Sequence, residues 1–190
     1  MMITRISEKY IDHGMSYYIS ARHAALAGFS PVCGLQAHYA VEMFLKGHLS
    51  TRRMETELKK LGHNLNLAWA AFKSDYPDKD FTRFDATIAD IDCFWRIRYP
   101  ERLVAEGMRF SVDRSGVAGD HRPVTLYRDP AIPEPPSYHL SMHDLDALPR
   151  PMVSGQSKTA NQTEKRSGVW SLFRLSRSDK TPAPFFFSGR

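Results

Sequence analysis

Five side chains in the sequence combine positive charge with hydrogen-bond donors suited to a phosphate group. His63 comes just before an apolar helical pattern, and the free N–H groups at a helix N-terminus attract anions. Arg98 can bind a phosphate through two parallel hydrogen bonds, and Arg96 lies two residues before it. Lys46 and Arg53 add further positive charge. We therefore take these five residues as the candidate binding site for a nucleotide or RNA.

Several of these residues also have a purely structural interpretation. His63 can cap a helix or pack at a turn, and Arg98 can form an ion pair with Asp92 or Glu101. A basic rim that can simply be a solvated surface comprises Arg52, Arg53, Lys59 and Lys60. The sequence leaves both kinds of role open.

His38 and Glu42 stand four residues apart, so on a helix they share one face. Such a pair can ligate a metal or carry out acid–base chemistry, or it can be a buried hydrogen-bonded pair that fixes helix packing. The phosphate-loop, zinc and nucleophile motifs G-x-G-x-x-G, C-x-x-C, H-E-x-x-H and G-x-S-x-G are absent. We expect no metal and no cofactor.

Composition narrows the class of protein. Of the 190 residues, 42% are hydrophobic, which is enough for one core, and no apolar run is long enough to span a membrane. The N-terminus meets charged residues too early for a signal peptide, so we expect a cytoplasmic location. Cys33 and Cys93 fit two thiols in a reducing compartment better than a disulfide or a metal site.

The net charge of +5 is located entirely in the C-terminal residues. Residues 154–190 contain seven cations and two anions, whereas residues 1–153 contain equal numbers of each sign. The C-terminal residues are also rich in Ser, Thr and Gly, which is typical of disordered chain. We therefore predict a folded domain over 1–153 and a basic tail over 154–190, and the basic pI says nothing about the folded domain.

Hydrophobic periodicity predicts an all-α fold, an up-and-down bundle of four to five helices. Asn64 is the predicted N-cap of the third helix. Two short β-prone runs, 108–112 and 124–127, predict a β-hairpin or long loop inserted near 108–127. The predicted helices cover residues 6–27, 34–49, 65–76, 81–99 and 138–148.

Three sequence segments resemble the HEPN superfamily, which consists of small helical proteins associated with nucleotides and RNA. Residues 38–47, HYAVEMFLKG, resemble its His-x-Ala-x-Glu-x-x-x-Lys helix. Residues 62–65, GHNL, resemble the start of its next helix, and residues 98–100, RYP, resemble the end of a later one. The resemblance covers about residues 5–150. It implies a helical bundle that often forms homodimers and that cleaves RNA, binds nucleotides or partners a small nucleotidyltransferase.

Ribonucleases of this superfamily carry an Arg-x4–6-His motif, from which this sequence departs. No histidine follows Arg96, Arg98 or Arg102 at that spacing, and the one literal match is Arg114 with His121 in a glycine-containing loop. We therefore predict a non-catalytic HEPN-like module that binds a nucleotide, RNA or a nucleotidyltransferase. The alternatives are a toxin-like, metal-independent ribonuclease and a purely structural dimerisation protein. The ribonuclease would use Arg98 with His63, or Arg114 with His121.

Overall fold

The computed structural model describes residues 5–113, 124–127, 131 and 134–148, all within the first of the two units of the chain, Met1–Gly155. This part is mostly helical, with one small three-stranded sheet. Two short 3-10 helices, Thr82–Phe84 and Phe94–Arg98, flank the fifth α-helix. The α-helices are α1 Arg5–Leu26, α2 Ser30–Leu49, α3 Glu55–Leu61, α4 Leu65–Ser74, α5 Asp85–Cys93, α6 Pro100–Glu106 and α7 Met142–Ala147. The strands are β1 Met108–Asp113, β2 Val124–Tyr127 and β3 Ser137–Ser141.

Helices α1 and α2 pack closely because small residues line their contact. A side chain larger than hydrogen at Gly14 would come within 2.8 Å of the Phe44 ring, and one at Gly47 would meet Ile11. The hydroxyl of Ser7 donates a buried hydrogen bond to the Gly47 carbonyl at 2.8 Å. These contacts join the start of α1 to the end of α2, so the two helices run antiparallel, as the short turn between them predicts.

Helix α2 is the most buried element that the structure describes, with twelve buried residues. Its neighbours α4, α5 and the 3-10 helix Phe94–Arg98 contribute large, fully buried side chains to the same core, among them Phe72, Ile88 and Phe94. Cys33 on α2 is buried, and burial raises the pKa of its thiol to about 12. Both cysteines are free thiols, as predicted, but only Cys33 is buried as the sequence led us to expect, because Cys93 is half-buried.

The C-terminal part of the described chain differs from the prediction. Strands β1 and β2 pair antiparallel, in agreement with the two predicted β-prone runs. The helix predicted over 138–148 is wrong in its first half, because Ser137–Ser141 forms β3, which pairs parallel with β1. Only Met142–Ala147 is helical, with the Ser141 side chain accepting from the Asp144 N–H as the N-cap. The fold is therefore not purely α-helical.

The single helix predicted over 81–99 is also wrong. The structure divides this segment into a 3-10 turn, α5 and a second 3-10 turn. The prediction of a helix that ends at residue 99 places Pro100 outside helical structure. Pro100 instead opens α6, where its fixed φ and missing N–H suit the first helical turn.

Helix α7 is attached to α1 by a polar contact between residues that are distant in sequence. The Tyr18 hydroxyl donates to Asp146 Oδ1 at 2.6 Å, and the Arg22 guanidinium pairs with the other carboxylate oxygen. Burial and the neighbouring carboxylate raise the pKa of Tyr18, so it remains a donor at neutral pH.

Two predictions concern residues that the structure does not describe. The loop with Arg114 and His121, and the tail 154–190, fall outside the described residues, so the predicted domain boundary stays a prediction. None of the described helices combines the length and apolarity that crossing a membrane requires.

Gly34 provides a test of the packing between α2 and the Phe94–Arg98 turn. A Cβ atom at Gly34 would overlap with the Phe94 ring, which is fully buried. We expect Gly34→Ala to lower the free energy of unfolding by roughly 1–3 kcal/mol through overpacking. Urea denaturation measures the change. Gln36→Ala, two residues along the same helix at a half-buried position, is the control and should change stability little. Equal effects of the two substitutions would contradict this packing.

Candidate functional site

The Glu42 cluster, defined as His38, Glu42, Lys46 and His63, surrounds a buried carboxylate on α2. The Glu42 side chain is only 2% exposed. Its Oε1 accepts a hydrogen bond from Lys46 Nζ at 2.6 Å, and its Oε2 lies 3.0 Å from His63 Nδ1. A buried carboxylate needs such donors, because the low-dielectric interior otherwise disfavours its charge.

Lys46 connects α2 to the turn that precedes α4. Besides its bond to Glu42, Nζ donates to the Gly62 carbonyl at 2.7 Å. His63, the next residue, contacts the same carboxylate while its side chain stays 57% exposed. Residues of the two sequence segments 38–47 and 62–65 thus meet at one carboxylate.

His38 lies deepest in this cluster. Its Nδ1 is 3.2 Å from the Ile91 carbonyl, which can only accept, so Nδ1 carries the hydrogen. Its buried Nε2 has no hydrogen-bond partner among the described residues and lies 3.8 Å from Glu42 Oε2. Although 3.8 Å is within ion-pair range, burial outweighs the attraction and lowers the pKa of His38. The ring is therefore neutral at pH 7, and its contact with Ile91 joins α2 to α5 inside the protein, whereas His38 and Glu42 are not hydrogen-bonded to each other.

The N-terminus of α4 is already occupied by a carboxylate from α5. Asp92 Oδ1 accepts from the Leu65 N–H at 2.7 Å, and Asp92 Oδ2 accepts from the Asn66 side chain at 2.8 Å. The Asn64 side chain accepts from the Leu67 N–H, which confirms it as the N-cap. An external phosphate would have to displace Asp92 from this position.

Arg98 lies on aromatic rings rather than beside a carboxylate. Its Nη1 donates to the Tyr39 hydroxyl at 2.6 Å, and its guanidinium carbon is 5.7 Å from the Tyr39 ring centre and 5.5 Å from that of Tyr99. The ion pair considered for Arg98, with Asp92 or Glu101, is absent from the described contacts, since Asp92 is engaged by α4.

A second guanidinium extends this surface. Arg102, on α6, lies 5.3 Å from the Trp95 ring centre and 5.8 Å from that of Tyr99. The arginine–aromatic surface is defined as Tyr39, Trp95, Arg98, Tyr99 and Arg102. Both of its arginines are exposed, and within the part of the chain that the structure describes neither has a carboxylate partner.

The remaining predicted residues are held by carboxylates of the protein itself. Arg96 Nη1 pairs with Glu106 at 3.1 Å. Arg53 Nη2 lies 3.0 Å from the Ala71 carbonyl and 3.3 Å from Asp75 Oδ1, so it ties the segment after α2 to the end of α4. These arginines therefore have internal electrostatic partners, whereas Arg98 does not.

The five predicted residues thus fall into separate groups. Lys46 and His63 meet at Glu42, and Arg98 contacts Tyr39, one helical turn before Glu42 on α2. Arg96 and Arg53 each lie with other partners. Among the residues that can be described, no group of three side chains is suited to hold a metal ion.

Sequence reasoning missed the aromatic half of the site. Tyr39, Trp95, Tyr99 and Arg102 were not selected, although two of them, Trp95 and Tyr99, alternate with arginines in the segment WRIRYPER, residues 95–102. Such interleaving of aromatic and guanidinium groups was the available signal.

Comparison of the chain with models of known families, with characterised proteins and with solved structures finds no match. The interpretation of the site therefore depends on contacts within this chain.

The buried Glu42 side chain should contribute more to the free energy of unfolding than the glutamate of an exposed Glu–Lys pair on the described helices. We expect Glu42→Gln to lower the free energy of unfolding by about 1–3 kcal/mol, because it removes a buried carboxylate that accepts hydrogen bonds from the half-buried Lys46 and from His63. Chemical denaturation measures this loss. The matched control is Glu55→Gln, which removes the same i,i+4 pairing from Lys59 at an exposed position and should have little effect. Similar losses in both variants would show that Glu42 is not a buried charge.

In the folded protein the His38 ring should stay neutral at pH 6.5, which is the ordinary pKa of a histidine side chain. Because burial lowers the pKa in the folded state, only the unfolded chain takes up this proton just below pH 6.5. His38 therefore makes the free energy of unfolding fall as the pH falls below about 6.5. Titration of the ring signal by NMR measures the folded pKa. A midpoint at or above 6.5 would instead indicate a charged ring paired with Glu42.

Proposed function

We propose that this protein is a non-catalytic HEPN-like helical module that binds RNA or a nucleotide through its arginine–aromatic surface. The observation that carries the proposal is the pair Arg98 and Arg102, two exposed guanidinium groups that lie on aromatic rings without a carboxylate partner among the described residues. The charge of these two groups is available to a ligand, unlike that of Lys46, Arg53 and Arg96.

The chemistry of this surface fits a phosphate with an attached base. A guanidinium can donate two parallel hydrogen bonds to phosphate oxygens. Aromatic side chains stack on unpaired bases, and arginine adds a cation–π contribution. The hydrogen bond from Arg98 to the Tyr39 hydroxyl holds the guanidinium in place before a ligand arrives, which lowers the entropy cost of binding.

The HEPN-like assignment has its own support. Glu42 and Lys46 lie in one of the resembling sequence segments and Gly62 and His63 in another, and these four residues are in contact. On this assignment, α1, α2, α4 and the helical segment after residue 81 correspond to an up-and-down bundle. A homodimer, a small nucleotidyltransferase partner and a cytoplasmic location belong to the same proposal.

A metal-independent, toxin-like ribonuclease is the second candidate, and the geometry of His63 favours it. An ionised Glu42 only accepts hydrogen bonds, so Nδ1 of His63 is the donor and Nε2 of the neutral ring is the base. A carboxylate-oriented, half-exposed imidazole is suited to proton transfer. Arg98 would then stabilise charge on the phosphate, while Arg114 and His121 lie outside the described residues.

A purely structural dimerisation protein is the third candidate. Three large apolar residues at the turn between α1 and α2 are exposed, namely Leu26 at 71%, Phe29 at 64% and Val32 at 49%. Exposed apolar groups that lie close together are typical of protein–protein contacts. This surface does not exclude RNA binding elsewhere on the molecule.

The Arg98→Gln variant tests the proposed function. We expect it to weaken binding of a fluorescein-labelled uridine trinucleotide by roughly tenfold, because a hydrogen bond to a charged group is lost. Tyr99→Ala should weaken binding by a similar factor, since base stacking contributes about 1–3 kcal/mol per base. Fluorescence anisotropy at low salt measures the Kd values.

Lys60→Gln removes an exposed cation away from this surface and is the matched control, so its Kd should equal that of the wild type. The same samples, incubated without divalent metal, are examined for RNA cleavage. If the RNA stays intact and its binding depends on Arg98, the result supports the proposal of a non-catalytic binding module. Cleavage that His63→Ala and Arg98→Ala both abolish would replace it by the ribonuclease. If the protein forms a dimer and binds no oligonucleotide, the result would support the third candidate, a structural dimerisation protein.

A further inference from the structure

A groove of about 550 Å³ lies between the first half of α1, the end of α2 and α3. Its apolar lining, called the floor below, comprises Ile6, Tyr10, Met43 and Leu58. Its rim is basic and is formed by Arg5, Lys9, His13 and Arg53. The volume is within the range of small-ligand sites, and the basic rim favours an anionic occupant.

The α1 cations have no partner among the residues described by the structure. Arg5 and Lys9 are exposed, and neither contacts a carboxylate there. They lie near the N-terminus of α1, where the helix dipole disfavours cations, so helix stability does not explain them. Glu55 also lines the groove, but its carboxylate is paired with Lys59 at 2.8 Å. The free charge of the groove is therefore positive.

The spacing of the basic residues on α1 suits a strand of phosphates. Arg5, Lys9 and His13 follow one another at four-residue intervals and all line the groove. Each interval rises about 6 Å along the helix axis, a separation that successive phosphates of an extended single strand can match. The neighbouring acids Glu8 and Asp12 do not line the groove.

Both walls of the groove continue to the arginine–aromatic surface. One further four-residue step along α1 leads from His13 to Tyr17, and the equivalent step back along α2 leads from Met43 to Tyr39. The Tyr17 and Tyr39 rings are in contact, with their centres 5.2 Å apart. Tyr39 in turn accepts the hydrogen bond from Arg98.

We propose that the groove is the backbone channel for a single-stranded RNA whose other end stacks on the arginine–aromatic surface. The phosphates bind the α1 cations, and unpaired bases contact the apolar floor and then the Tyr17–Tyr39 pair. A duplex does not fit this chemistry, because its bases are already stacked and hidden from the floor. This inference rests on the proposed function and extends the ligand from one or a few nucleotides to a longer strand.

The salt dependence of binding tests the channel. Wild-type protein should bind a labelled uridine nonanucleotide with a steeper dependence of log Kd on log salt than it binds the trinucleotide. A longer strand can also bind in more positions along the protein, which raises its affinity but does not change the slope of log Kd against log salt. In the Arg5→Gln/Lys9→Gln variant the slope for the nonanucleotide should fall by about 1.4, which corresponds to two lost phosphate contacts. Its binding of the trinucleotide should be unchanged.

The matched control, Lys60→Gln/Lys79→Gln, removes two exposed cations that do not line the groove and should keep the wild-type slope. All four substituted positions are exposed, and a thermal melt checks that each variant folds. Equal slopes for both oligonucleotides, or an equal loss in variant and control, would overturn the channel. If trinucleotide binding still depends on Arg98 in that case, the proposed function stands. If neither oligonucleotide binds, both proposals fail.

Discussion

The charge of the buried Glu42 carboxylate is the constraint on which the surrounding architecture depends. An ionised group that is 2% exposed must receive hydrogen bonds, and it receives them from Lys46 on its own helix and from His63 in the following turn. Lys46 also holds the Gly62 carbonyl, so the start of α4 has one position relative to α2. Asp92, on α5, accepts a hydrogen bond from the first N–H of α4. This bond connects α5 to the start of α4.

The fold was predictable where local patterns agree with tertiary packing. Residues 34–49 lack proline and follow a helical period, and Asn64 is a strong N-cap, so α2 and α4 were predicted correctly. The segment 137–141 was not, because its apolar residues suit a helix or a strand. Its partner is β1, which lies at residues 108–113 and makes the strand conformation favourable by a non-local pairing. The 3-10 turns on both sides of α5 are likewise set by packing.

The site was predicted in part for similar reasons. Motif spacing identified His63 and Lys46, but it could not reveal that one carboxylate engages both of them. For Arg98 we considered only acidic neighbours, whereas the structure provides Tyr39, which is 59 residues away in sequence. A guanidinium on an aromatic ring keeps its charge available, and a guanidinium in an ion pair does not. The functional interpretation of the surface follows from this difference. The sequence does not reveal it, because Arg98 and Tyr39 are far apart along the chain.

The attachment of α7 to α1 bears on how the chain matures during synthesis. Asp146 joins Tyr18 across 128 residues, so α1 obtains this polar partner only when nearly all of the described residues have been translated. Until Asp146 has been synthesised, the Arg22 guanidinium lacks the carboxylate with which it pairs in the folded chain. The attachment of α7 to α1 therefore forms late in translation, and a nascent chain that stops before residue 146 lacks it.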